Sequence, residues 1–138
     1  MKRAVVLIGI VIVGLLMQSC EQKPKELVFY DGSLGQMENE AQEEGKPYYV
    51  YFTADWCQPC QIMKKNVFTL PEVYELSNAK YLAIMIDVDE FNGQELSKQY
   101  DVQGIPTIIF FNSEGEAQTR LTGLLSSDQF MAALNEFK

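Results

Sequence analysis

The chain has 138 residues, 47% of them hydrophobic and 22% charged, which supplies enough apolar material for one compact domain with a buried core. Its formal net charge of -8 disfavours nucleic acid as a partner and electrostatic docking onto anionic lipid. Histidine is absent, which excludes Ser–His and Cys–His nucleophile pairs and imidazole metal sites, leaving any chemistry to cysteine, carboxylate, lysine or tyrosine.

At the N-terminus Lys2 and Arg3 precede an unbroken apolar run from Ala4 to Met17, followed by Gln18, Ser19 and Cys20. Basic residues, a short apolar core and a small residue before a cut site predict a secretory signal over 1–19. The run is shorter than the roughly 20 residues of a transmembrane helix, although an uncleaved anchor is the alternative. A segment ending in Ser-Cys resembles the signal of bacterial lipoproteins, and that resemblance implies acylation of Cys20. Gln18 and Met17 depart from the small and aliphatic residues usual there, and the other reading is an ordinary signal with Cys20 as a spare thiol. The polar stretch to Glu26 then makes 20–26 a tether, extended by at most about 3.3 Å per residue. The folded domain is expected over 27–138.

Within that domain strand and helix signals alternate. Leu27–Tyr30, ended by Asp31-Gly32, reads as a first strand and turn. Ser33 is expected to cap a helix reaching Glu44, with Leu34, Met37 and Ala41 on one face and Gly45 as its stop. Tyr48–Thr53 reads as a buried central strand. A helix follows from Cys57 to about Phe68, with Ile62, Met63, Val67 and Phe68 inward, and Pro71–Leu76 forms a further short helical piece. Tyr81–Val88 is a strand and Gly93–Tyr100 a helix. Thr107–Phe111 and Glu116–Leu121 flank the turn Asn112–Gly115 as a hairpin. Ser126 or Ser127 caps a last helix carrying Phe130, Met131, Leu134 and Phe137. Helices between strands predict an α/β fold with helices on both faces of a central sheet, and the late hairpin makes that sheet mixed.

The segment Thr53-Ala54-Asp55-Trp56-Cys57-Gln58-Pro59-Cys60 carries the chemistry. A strand runs into two cysteines two residues apart, at the start of a helix. There the unpaired amides and the helix dipole favour a thiolate at Cys57, below the free thiol value of about 8.5. Pro59 fits the first turn, which needs no amide donor from it. Cys60, one turn inward, would be shielded. Redox exchange competes with a zinc half-site, a structural disulfide and a shared iron–sulfur cluster. Zinc wants about four ligands, and with no histidine and only Cys20 left it would need carboxylates or a second chain, while so small a ring gains little chain entropy as a staple.

Trp-Cys-x-Pro-Cys after an aromatic strand, with Gly104-Ile105-Pro106-Thr107 downstream, resembles the thioredoxin superfamily from Leu27 to Phe137. Ala-Asp-Trp-Cys and Val67-Phe68…Pro71-Glu72-Val73 look like the C-terminal periplasmic domain of DsbD-type disulfide reductases and related secreted proteins. The resemblance implies a thioredoxin fold, with Cys57 as nucleophile, Cys60 as resolving thiol and Pro106 as a cis-proline facing the disulfide. It leaves the backbone of Ile105 free to pair with an extended substrate, beside Trp56 as an apolar wall. For Trp56 plain core packing is the alternative.

The chain also departs from the family. Tyr51 stands where a buried aspartate is usual, six positions before the first cysteine, and Met85 stands at the partner lysine. Deprotonation of Cys60 then falls to water or Asp55. Lys64 and Lys65, on the following helix, read mainly as a solvated face.

Gln58-Pro59 resembles the reducing members of the family, and no histidine adds positive charge between the cysteines. The expectation is a reductant or electron relay at the bacterial cell envelope, on the periplasmic side, lipid-anchored through Cys20. It would act on protein thiols and disulfides and be recharged by a membrane thiol reductase. No cofactor, metal or nucleic acid is implied. A dithiol oxidase or isomerase, and a redox-inert binding module with a structural disulfide, are the alternatives.

Overall fold

Every side chain of Tyr48–Thr53 is buried, as a continuous run of aromatic and β-branched residues requires, and this strand, β1, is the centre of the sheet. The computed structural model describes residues 25–137. Within them β1 is joined by β2 (Leu82–Asp87), β3 (Thr107–Phe111) and β4 (Ala117–Thr122), in the order β2-β1-β3-β4. β1 pairs with β2 in parallel and with β3 antiparallel, and β3 with β4 antiparallel, so the sheet is mixed as expected.

Side chains alternate across β1 and feed two cores. Tyr48, Val50 and Phe52 meet Leu34, Met37 and Ala41 of α1 (Leu34–Glu44), with Leu96 of α4 (Phe91–Gln99) packed alongside. Tyr49 and Tyr51 face the opposite layer, built from α2 (Gln58–Asn66), α3 (Pro71–Lys80) and α5 (Ser127–Glu136). Met63, Phe68, Val73, Phe130 and Leu134 fill that second core. The result is the thioredoxin fold, an α/β sheet with helices on both faces.

Ser33 and Ser126 each form a reciprocal capping box with a glutamine three residues on, which starts α1 and α5 where polar caps were expected. Gly45 ends α1 in the left-handed region at φ 62°.

The chain differs from the sequence reading at Leu27–Tyr30, which is not a strand. Asn78 of α3 takes the groups a strand partner would use: its Oδ1 accepts the Val28 N–H at 2.9 Å and its Nδ2 donates to the Glu26 carbonyl at 2.9 Å. Only the Tyr30 N–H reaches β2, at the Ala83 carbonyl 2.6 Å away. α3 also runs to Lys80 rather than Leu76, because Ser77 is buried and its hydroxyl lies 2.8 Å from that of Tyr49. α4 begins two residues before Gly93.

The register sets up the site. β1 and β2 end together at Thr53 and Asp87, and the start of β3 at Thr107 and the end of β4 at Thr122 lie beside them. Four connecting loops therefore meet at one end of the sheet, where ligands of open α/β sheets bind.

Candidate active site

Cys57 is the N-cap of α2, and its backbone is extended while its sulfur accepts the Cys60 N–H at 3.3 Å. The two sulfurs are joined in a disulfide with Cα atoms 5.3 Å apart. Pro59 occupies the first turn, where its missing N–H costs nothing. Cys57 is 3% exposed and Cys60 wholly buried, so an approaching thiol or disulfide meets Cys57 first.

Beneath the pair lies Tyr51. Its hydroxyl donates to the Cys60 carbonyl at 3.3 Å, and its ring packs edge-on against Phe68 with centroids 5.1 Å apart. Burial of the phenol pushes its pKa up to about 12, so Tyr51 is neutral through the physiological range. Thr53, two residues on along the same face of β1, is also buried, and its hydroxyl has no hydrogen-bond partner among the described residues. The sequence position of the family's buried carboxylate is thus held by a neutral phenol. Met85 is the register partner of Tyr51 on β2 and is 41% exposed.

Trp56 is not a core residue: it is 70% exposed, and its indole N–H donates to Asp89 Oδ2 at 2.7 Å. Asp89 is itself fixed, its N–H bonded to Asp87 Oδ1 at 2.9 Å and its carbonyl to Gln94 Nε2 at 3.1 Å. The indole is therefore held by the loop that follows β2. Asp55 is exposed, and its backbone carbonyl accepts from Gln61 Nε2 at 3.3 Å. Lys64 and Lys65 sit in the last turn of α2, away from Cys57, where their charges suit the helix dipole.

The Ile105–Pro106 peptide bond is cis. Around it the Gly123 N–H donates to the Pro106 carbonyl at 2.8 Å, and the Thr107 hydroxyl donates to the Gly104 carbonyl at 2.7 Å. Neither backbone group of Ile105 has a hydrogen-bond partner among the described residues. Unpaired backbone groups of this kind are what pairing with an extended chain requires.

Cys57, Cys60, Trp56, Ile105 and Pro106 thus belong to loops and turns at one sheet end. Cys20 lies outside the described residues. Thr53, Asp89 and the exposed Phe91 and Leu124 were not singled out from sequence. Thr53 had a signal, since it shares a strand face with Tyr51; the Asp89 contact spans 33 residues and had none. Among the described residues, no three carboxylate, histidine or cysteine side chains converge to hold a metal ion.

The family of thioredoxin-like domains matches residues 34–138. The thiol:disulfide interchange protein DsbD of Klebsiella pneumoniae is 34% identical over 102 residues, covering 71% of this chain and 17% of that protein. The protein of the same name from Haemophilus ducreyi is 37% identical over 95 residues, covering 67% and 17%. The chain therefore spans under a fifth of the length of these curated relatives. The solution structure of a thioredoxin from Thermus thermophilus superposes with a TM-score of 0.71 and 31% identity, over 80% of this chain and 86% of that one.

Proposed function

Because this chain belongs to the family of thioredoxin-like domains and closes a Cys57–Cys60 disulfide, we propose that it is a thiol–disulfide oxidoreductase working as a reductant or electron relay. The observation that carries this reading is the Cys57–Cys60 disulfide closed over the first turn of α2, with Cys57 as the cap. In the dithiol form the Cys57 thiolate attacks one sulfur of a substrate disulfide. That S–S bond breaks, a mixed disulfide forms through Cys57, and the first substrate sulfur leaves as a thiolate. Cys60 then gives up its proton to solvent and attacks the Cys57 sulfur. The Cys57–Cys60 bond closes and the second substrate thiolate departs, so two electrons have passed to the substrate. A donor dithiol restores the pair by the same steps in reverse.

The residues between the cysteines support this direction. Strong oxidants of this kind owe their potential to a stabilised reduced form. Here neither Gln58 nor Pro59 brings positive charge, and Asp55 and Asp89 are exposed nearby. Without positive charge between the cysteines the reduced form gains no added stabilisation, which suits an electron donor rather than a strong oxidant.

The proposed partners are protein disulfides outside the cytoplasm, with a membrane thiol reductase as the donor. Residues 1–19 would direct export, and Cys20 would carry the lipid that keeps the domain at the envelope, periplasmic side. Trp56, Ile105 and Pro106 would line the substrate segment.

The deciding experiment is the equilibrium reduction potential of the pair, on the chain from Glu21 onward so that Cys20 does not titrate. A value near or below about -230 mV supports a reductant, and one above about -180 mV replaces it with an oxidase or isomerase.

A further inference from the structure

Three large apolar side chains stand in solvent at the sheet end that carries the disulfide: Trp56 at 70%, Phe91 at 74% and Leu124 at 48% exposure. Their places in the fold bracket the site. Trp56 precedes Cys57, and Phe91 opens α4 two residues beyond Asp89, the residue that holds the Trp56 indole. Leu124 follows Gly123, whose N–H holds the Pro106 carbonyl on the other flank. Keeping such side chains in water is unfavourable unless a partner covers them, and clustered exposed apolar groups mark contact surfaces.

The charge between them has one sign. The four loops at this end carry Asp55, Asp89, Glu90 and Asp101, all exposed, and no lysine or arginine. Arg120 of β4 donates to the backbone carbonyls of Tyr100 and Asp101, and Asp55, Asp89 and Glu90 are the charges of the two loops that follow β1 and β2. A second copy of this acidic face would be repelled, and so would an acidic partner.

We propose that this face docks a protein segment whose cysteine is flanked by lysine or arginine and by one bulky apolar residue. The cationic groups would lie against Asp55, Asp89 and Glu90, and the apolar residue against Phe91 and Trp56. Phe91 and Glu90 would then select among substrates without touching the reacting sulfurs. The inference rests on the oxidoreductase reading and adds the class of substrate to it.

The test is reduction of matched disulfide-bonded peptides by the reduced full-length protein. One peptide has Lys and Leu beside its cysteine, one has Glu and Leu, and one has Lys and Gly. An uncharged small disulfide serves as the fourth substrate. The expected result is a kcat/KM about tenfold higher for the Lys peptide than for the Glu peptide at low salt, a preference that shrinks as ionic strength rises. Asp55→Asn with Glu90→Gln should collapse that ratio, and Phe91→Ala should collapse the ratio of the Leu to the Gly peptide. Equal, salt-independent rates on all three peptides, with the small disulfide still reduced, would overturn the docking proposal alone. Failure to reduce even the small disulfide would overturn the oxidoreductase reading beneath it.

Discussion

The Tyr51 hydroxyl donates to the carbonyl of Cys60 at 3.3 Å, so the strand beneath the disulfide is tied directly to the turn that carries the resolving sulfur. Tyr51→Phe removes that bond while its ring can still pack on Phe68 and Phe29. A buried hydrogen bond is worth about 1 kcal/mol net, and the expected loss in denaturant unfolding of the oxidised protein is of that size. A loss several times larger would mean that the substituted ring repacks the core, and the hydrogen bond would not be the cause.

A neutral phenol in place of a carboxylate also predicts a simple pH profile. Tyr51 does not ionise below alkaline pH, and the chain has no histidine. The rate of disulfide exchange should therefore follow one thiol titration, that of Cys57, without a second step from a buried acid. Tyr51→Asp should add that step, because a carboxyl buried beneath the disulfide would have its own raised pKa. Stopped-flow rates against pH for the two proteins decide it, and a two-step profile in the wild type would rule the argument out.

At the alkaline end the same residue affects stability. The folded pKa of Tyr51 is raised from 10.0 to about 12 by burial. Stability from keeping it neutral is therefore whole below pH 10 and falls as pH rises toward 12, since the unfolded chain releases the proton first. Tyr48 and Tyr49 are shifted upward by burial as well and act in the same sense. Melting temperatures across this range should decline in the wild type and decline less in Tyr51→Phe.

What could be read from the sequence was what local chemistry decides. The aromatic run of β1, the serine caps of α1 and α5, and the cysteine spacing each determine their own neighbourhood. Leu27–Tyr30 departs from its sequence reading because its alternation of buried Leu27, exposed Val28 and half-buried Phe29 is real while its hydrogen bonds are not those of a strand. Asn78, some fifty residues away, intercepts them, and no local pattern announces that. Trp56 shows the same limit. Its motif placed it at the site, but its exposure depends on Asp89, which folding brings in from the end of β2.

Gly93 gives a prediction about how that loop is held. A Cβ at this position would lie 1.8 Å from the Asp87 carbonyl oxygen and 3.2 Å from the Val88 Cα, both backbone atoms. α4 is packed directly on the end of β2, and Gly93→Ala must push it away. Overpacking of this kind costs about 1–3 kcal/mol. The displacement would also loosen Asp89 and the Trp56 indole. Trp56 is the chain's single tryptophan, so its fluorescence reports the shift. Unchanged emission with unchanged stability would show that α4 sits more loosely than its contacts indicate.

The order of attack is tested by single cysteine variants. Cys57, at 3% exposure, is the less enclosed of the two and caps α2, whereas Cys60 is wholly buried. With Cys60→Ser the first exchange still forms a bond between Cys57 and the substrate, but no thiol remains to break it. Mixed disulfides should therefore accumulate on non-reducing gels and dissolve on reduction. Cys57→Ser should trap almost none, because the remaining thiol is wholly buried and a substrate disulfide cannot reach it. The reverse pattern, with trapping through Cys60, would exchange the two roles and require the helix turn to open before the reaction begins.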